Sequence, residues 1–238
     1  MSKLIFFDTE TTGNTEKDFL VQVAYKTNDE SFVGLYKPPI KIPPEASAVH
    51  HISNKMVQDK PSFQESGDLP KIKKLFEEES SIVVAHNAPF DLMIINKEGI
   101  IPHKFICTLR VARHLDPEGK IERYNLQYLR YLLEIEIEAT AHDALGDVLV
   151  LEELFNRLKK KIIETEHLDE EKAITKMIEI SSHPCLLRSF NFGKHLGKKI
   201  EEVLATDRGY LEWLLAQKQA SDQIDEDWIY TLKHFLEK

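Results

Sequence analysis

Phe6-Phe7-Asp8-Thr9-Glu10-Thr11-Thr12-Gly13, following Lys3-Leu4-Ile5, is the stretch that decides the fold. An apolar run that ends in two acids and is closed by Gly13 reads as a buried strand running into a turn. Side chains alternate along a strand, so Asp8 and Glu10, two residues apart, share a face. Two carboxylates on one face at the end of a buried strand repel each other and need a compensating cation; hard oxygen ligands suit Mg²⁺ or Mn²⁺. A strand end that meets water with two acids is the plain alternative, and this stretch alone does not choose between them.

Working outward, Phe19 to Tyr25 and Ser31 to Tyr36 read as second and third strands joined by a turn at Asn28-Asp29-Glu30, an antiparallel start. Pro38, Pro39, Pro43 and Pro44 predict an extended excursion without helix. Ser47 to Gln58 is amphipathic, with Ser53 placed to cap its second half. His50 and His51 point in different directions on any regular element, so they make a poor metal pair and an exposed or capping role is expected. Leu69 to Glu79 carries Ile72, Leu75 and Phe76 on one face of a helix. Ile82-Val83-Val84-Ala85 is a fourth, buried strand. It runs into His86-Asn87-Ala88-Pro89-Phe90-Asp91, where Pro89 suits the first position of a helix and Asp91 its third. An acid there is favoured by the helix dipole; its functional reading is a third carboxylate presented beside the first strand.

Cys107 to Leu115 and Asn125 to Leu133 read as further helices. Thr140 opens a long helix with apolar positions Ala144, Leu145, Val148, Leu151, Leu154, Phe155 and Leu158, ending in Lys159-Lys160-Lys161. His142 and Asp147 lie on it and border a cleft above its start. Asp169 to Ile180 reads as a charged connecting helix. After His183-Pro184 the texture changes to a glycine-containing, aromatic and basic stretch, Ser189 to Lys199. Short helices follow at Ile200 to Leu204, Tyr210 to Gln217 and Glu226 to Phe235.

The 238 residues, 42% of them hydrophobic, allow one domain of ordinary size and a smaller one. No apolar run approaches the roughly 18 residues of a membrane span. Lys3 interrupts the N-terminal apolar run and no small-residue cleavage pattern follows, so a signal peptide is not expected. Cys107 and Cys185 form no metal or redox spacing, which fits a reducing, cytoplasmic setting. A formal net charge of −9 is the wrong sign for coating nucleic acid by bulk charge. It leaves room for a nucleic-acid substrate met through bound metals and local Lys/Arg patches.

Asp8, Glu10, Asp91 and Asp147 thus fall at ends of elements, with His142 five residues before the last. In these residues the chain resembles the DnaQ-like (DEDDh) 3′→5′ exonuclease family. Asp8-Thr9-Glu10-Thr11-Thr12-Gly13 resembles its first motif and His86-Asn87-Ala88-Pro89-Phe90-Asp91 its second. His142-Asp143-Ala144-Leu145-Gly146-Asp147 resembles the third, of the form His-x4-Asp. The likeness covers roughly residues 3 to 160, with all three motifs in order.

The resemblance implies hydrolysis of phosphodiester bonds from 3′ ends, with release of nucleoside 5′-monophosphates. It also implies two Mg²⁺ or Mn²⁺ ions roughly 3.5–4 Å apart that bind the attacking water and the leaving oxygen. Asp8, Glu10 and Asp147 would hold one ion, and Asp8 and Asp91 the other. His142 would take the proton from the water, since its free pKa lies near working pH. Thr11, His50, Asn87 and Phe90 are candidate substrate contacts, hydroxyl and amide for the terminal sugar and phosphate and the ring for a base. Core packing is the other role for Phe90, and Asp143 is expected to be solvated. DNA leads as substrate. A 3′→5′ exoribonuclease is the alternative among enzymes, and a non-catalytic partner of a polymerase or repair complex the alternative outside them. The five intact catalytic positions argue against the latter.

The expected architecture is α/β. A ribonuclease H-like mixed sheet flanked by helices occupies residues 1–165, a connecting helix 166–182, and a small, mainly helical accessory module 183–238. Phe192 to Lys199, followed by Asp207 to Leu214, resembles the module after the nuclease domain in exodeoxyribonuclease X-like proteins. Lys194, Lys198 and Lys199 cluster there with His195, and Phe190 and Phe192 flank them as candidates for base stacking. The module is therefore expected to bind nucleic acid, with a helical cap over the nuclease domain as the alternative. Leu211, Trp213, Leu214 and Leu215 are expected to pack its core.

Overall fold

The computed structural model describes residues 2–137, 144–221 and 225–237. The first stretch forms β1 (Lys3–Thr11), followed by β2 (Leu20–Lys26), β3 (Ser31–Leu35), β4 (Ser81–Ala85) and β5 (Phe105–Cys107). Among the described residues they make one mixed sheet in the order β3-β2-β1-β4-β5. β2 and β3 run antiparallel beside β1, and β4 and β5 run parallel to it. The helices are α1 (Pro44–His50), α2 (Asn54–Val57), α3 (Leu69–Phe76), α4 (Ala88–Lys97), α5 (Thr108–His114), α6 (Leu126–Leu132), α7 (Ala144–Glu166), α8 (Glu170–Ser181), α9 (Ile200–Thr206), α10 (Arg208–Ala220) and α11 (Glu226–Leu236).

β1 is buried on both faces, and its alternation assigns each residue to one of two cores. Ile5 and Phe7 pack with Ile72, Phe76 and Ile94 beneath α3 and α4. Phe6 packs with Val148, Leu151 and Phe155 beneath α7, and its ring meets Phe155 edge-on at 5.2 Å between centroids. Asp8 and Glu10 follow Phe6 on the α7 face, and Thr9 and Thr11 follow Phe7 on the α4 face. The register with β2 slips between Glu10 and Thr11. Such an irregularity bends a strand and re-aims its side chains, and here it falls where the acids leave the sheet.

Several elements differ from the sequence reading. The proline-rich excursion ends in a helix, because Pro44 takes the first position of α1, where a missing N–H is harmless. Phe105–Cys107 is a fifth strand, three residues too short for a periodic signal, and α5 starts only after it. α8 is more than a connector, since Ala173 and Met177 are fully buried in the core under α7. The expected helix start at Thr140 lies outside the described residues.

A third core, built from Leu187, Phe190, Ile200, Leu211, Leu214, Trp228 and Leu232, holds the C-terminal helices together. Phe190 is only 1% exposed and packs against Trp228 at 5.0 Å, so it is a core ring and not a stacking surface for bases. Trp213, expected in this core, is instead 54% exposed. It lies on α10 beside Tyr210, their ring centroids 5.5 Å apart.

Charge joins this core to the sheet domain. Arg110 of α5, 4% exposed, donates to Glu226 Oε2 at 2.6 Å, to Asp227 Oδ1 at 3.3 Å and to the Ser181 carbonyl at 2.7 Å. Arg113 donates to Asp227 Oδ2 at 2.5 Å. Asp227 also accepts from the Cys185 amide at 3.0 Å. Two segments of the chain approach closely at Gly119, where φ is 66° and a Cβ would lie 2.9 Å from the Cβ of Arg188.

Candidate active site

Four carboxylates meet at the carboxyl ends of the parallel strands. Asp8 and Glu10 project from β1 toward α7, whose fourth residue is Asp147. Ligand oxygens of these three lie within 4.8 Å of one another. Asp91, in the first turn of α4, reaches the site from the opposite face. Its Oδ1 accepts from the Thr9 amide at 3.1 Å and the Thr9 hydroxyl at 2.7 Å. Thr9, one residue out of phase with the two β1 acids, thereby ties the fourth carboxylate to the strand that carries them.

The electrostatics follow from this crowding. Burial, then the charges of Asp91, Glu10 and Asp147, push the Asp8 carboxyl well above the usual carboxylate range. Glu10 is pushed up to about 8, by burial first and then by Asp147 and Asp91. Burial pushes Asp91 up to about 7, against the two Thr9 bonds that favour its ionised form. Among the described residues, no lysine or arginine ion pair neutralises Asp8 or Glu10. A cluster of hard oxygen donors without a protein cation fits divalent metal ions of the Mg²⁺ or Mn²⁺ type.

The remaining candidates separate into those near this centre and those away from it. Asn87 precedes α4 in a left-handed conformation, φ 69° and ψ 44°, which Asn tolerates better than most residues. It lines a groove with Asn14, Phe90 and Met93, and Phe90 also packs partly into the core beneath α4. The Thr11 hydroxyl donates to the Gly13 carbonyl at 2.5 Å and so shapes the turn. His50 is buried, contrary to an exposed role. Its Nδ1 accepts from the Ile52 amide at 3.0 Å, its Nε2 has no hydrogen-bond partner among the described residues, and burial lowers its pKa. His142 lies outside the described residues. Lys198 and Lys199 are exposed on the C-terminal unit. Lys194 is occupied by Asp207 at 2.7 Å and lies over the Tyr210 ring.

Two residues escaped the sequence reading. Gln127 of α6 donates from Nε2 to Asp147 Oδ1 at 2.5 Å; nothing in the sequence signals a contact across twenty residues. His86 opens the second motif, and both of its ring nitrogens are taken up by neighbours other than the acids. Its Nε2 bonds to the Tyr124 carbonyl at 2.6 Å and its Nδ1 to the Thr108 hydroxyl at 2.9 Å. A carbonyl only accepts, so Nε2 carries the hydrogen and Nδ1 accepts from Thr108. Burial, first, lowers the His86 pKa to about 4 and keeps the ring neutral. The ring pins the segment leading into α6, and α6 carries Gln127.

This arrangement is that of a ribonuclease H-like nuclease. The family model described as Exonuclease matches residues 5–155, and that of the exodeoxyribonuclease X-like C-terminal region matches residues 190–219. Exodeoxyribonuclease 10 of Escherichia coli is 32% identical over 204 residues, covering 85% of this chain and 83% of that protein. DNA polymerase III subunit epsilon of Treponema pallidum is 33% identical over 165 residues, 64% of this chain and 74% of its own. The structure of Exonuclease X in complex with 5′-overhanging duplex DNA superposes with a TM-score of 0.58 at 27% identity, over 75% of this chain and 99% of that one. Escherichia coli Exonuclease I bound to an oligonucleotide shares the fold, with a TM-score of 0.56 at 22% identity over 69% of this chain and 41% of that one. The chain belongs to the DnaQ-like exonuclease family and is a phosphodiester-hydrolysing exonuclease. No helix among the described residues is long and apolar enough to cross a membrane.

Proposed function

We propose that this protein removes nucleoside 5′-monophosphates one at a time from the 3′ ends of DNA, using two Mg²⁺ or Mn²⁺ ions. The observation that carries the proposal is the convergence of Asp8, Glu10 and Asp147 within 4.8 Å, with Asp91 held beside them by Thr9. Asp8, Glu10 and Asp147 hold one ion, and Asp8 with Asp91 the other. When bound, the ions supply charge stabilisation for an in-line displacement at phosphorus. The chain's own part is to fix the acids on two helices and a strand, so that little reorganisation accompanies reaction. Gln127 sets the orientation of Asp147. His142, five residues before Asp147, accepts the proton of the attacking water, a role suited to an imidazole that titrates near neutral pH. Asn87, Thr11, His50 and Phe90 surround the terminal nucleotide. Lys198 and Lys199, and Lys194 once released from Asp207, add phosphate contacts on a C-terminal accessory module.

DNA is favoured because the relatives carry DNA in their names: an exodeoxyribonuclease, and a subunit of a DNA polymerase. The latter also supports association with a replication or repair complex. The test is degradation of matched DNA and RNA strands labelled at one end or the other. A 3′-end block should stop release of monophosphates and a 5′-end block should not. Preferential loss of RNA would reassign the substrate, and cutting of a closed circle would overturn the reading.

A further inference from the structure

The acidic balance of the chain is broken locally in a groove that adjoins the second-motif loop. A groove of about 520 Å³ lies between the second-motif loop, the segment before α6 and the loop before α9. Asn87, Arg113, Arg123 and Asn125 form its nuclease wall, and Asn191 and Leu196 its C-terminal wall. No Asp or Glu is among its described lining residues, in a protein with 40 acids against 31 Lys and Arg. Arg123 is exposed and makes no ion pair among the described residues. Arg113 is already paired, its Nη1 donating to Asp227 Oδ2 at 2.5 Å and its guanidinium held over the Tyr124 ring at 5.6 Å, so it braces the wall and Arg123 carries the wall's unpaired charge. Asn125 uses its Oδ1 to cap α6, accepting from the Tyr128 amide at 2.9 Å, which leaves its amide donors for a ligand. Leu196, 67% exposed, offers an apolar face at the rim.

An exposed, unpaired guanidinium and an absence of carboxylates in the lining describe a site for an anion, and Arg123 with the Asn125 amide beside it suits phosphodiester oxygens. The groove also has a direction. Asn87 lies at its nuclease end, immediately before the helix whose first turn carries Asp91. Asn87 also lines the groove beside Phe90, but that groove carries Glu226; the acid-free groove suits a phosphate backbone, so a strand whose 3′ end reaches the acids enters it on its 5′ side. We propose that the groove binds the sugar-phosphate backbone of the substrate strand upstream of the scissile bond, and that the nuclease wall and the C-terminal loop build the site jointly. This rests on the 3′→5′ polarity proposed above. It moves the main nucleic-acid contact of the C-terminal unit from Lys194, occupied by Asp207, to the loop around Asn191 and Leu196.

The test is fluorescence anisotropy on the full chain, with a DNA strand of about sixteen nucleotides carrying a hydrolysis-resistant 3′-terminal linkage, and a dinucleotide with the same end. Arg123→Glu should weaken binding of the long strand about tenfold and lower the slope of log affinity against log salt by about 0.7 to 1. Affinity for the dinucleotide should change less than twofold. The pair Asn191→Asp and Leu196→Asp should weaken the long strand in the same way from the opposite wall. Unchanged long-strand affinity and salt slope in both variants, with wild-type unfolding curves, would overturn the proposal. Monophosphate release by the wild type is scored separately. If it fails while the variants still weaken binding, the functional reading falls and the groove stands. Release from the 3′ end with no variant effect gives the reverse.

Discussion

Glu10→Gln, studied without metal, isolates the repulsion inside the carboxylate cluster. In the folded chain the Glu10 carboxyl is raised from 4.5 to about 8, by burial and then by Asp147 and Asp91. A folded pKa above the unfolded one means that the cost is absent below about pH 4.5, grows as pH rises, and is complete above about pH 8. At about 1.36 kcal/mol per unit the full rise corresponds to about 5 kcal/mol. Glu10 keeps some contact with water, and a neighbouring carboxyl can hold a proton in its place. The expected gain for Glu10→Gln in chelator at pH 8.5 is therefore about 2–3 kcal/mol, or about 4–12 °C in Tm for a chain of 238 residues. At pH 5 the two proteins should agree within about 1 kcal/mol. Urea unfolding at both pH values, with and without excess Mg²⁺, provides the comparison. Metal should reverse the order, because the wild type gains its binding free energy and the variant, one ligand short, gains less. A wild type as stable as Glu10→Gln at pH 8.5 in chelator would refute the reasoning, as would a gain of equal size at pH 5.

Three further outcomes are expected. His142→Ala should lower kcat by about 10²–10⁴-fold while calorimetric Mn²⁺ binding persists; a wild-type rate at every pH would remove the histidine from the reaction. Gln127→Leu deletes the donor 2.5 Å from Asp147 Oδ1 and should weaken metal binding by about 10–100-fold, read by Mn²⁺ titration of the folded variant. Arg110→Ala strips Glu226 and one oxygen of Asp227 of their cation and should cost about 3 kcal/mol. Urea unfolding should show it, with the C-terminal helices released first.

What was legible in the sequence was local. Asp8 and Glu10 could be placed on one face because a strand has a two-residue period, and Asp91 could be placed in a first turn because Pro89 marks the start of α4. Both rest on neighbours within a few residues. The contacts that were missed span long separations: Gln127 to Asp147, Thr9 to Asp91, Arg110 to Asp227. No periodicity encodes such pairs, and only the packing of strand on helix and helix on helix brings them together. β5 was missed for a different reason, since three residues cannot display a period. Phe190 and Trp213 exchanged roles because composition around Gly193 suggested a surface, whereas aromatic packing on Trp228 decides which ring is inside.

The Arg110 and Arg113 clamp has a consequence for any attempt to divide the molecule. In the intact chain these guanidinium groups, 4% and 16% exposed as side chains, face Glu226 and Asp227. A shortened protein ending before residue 183 would keep both arginines and lose both acids. Its severed face would be a new cationic surface adjoining the groove at Asn87. Such a fragment would gain affinity for nucleic acid there while losing the C-terminal wall of the groove, and the two effects would offset each other in a simple binding curve. Equal affinities for fragment and whole would then disguise two different modes of attachment. The salt slope and the length of strand protected would tell them apart.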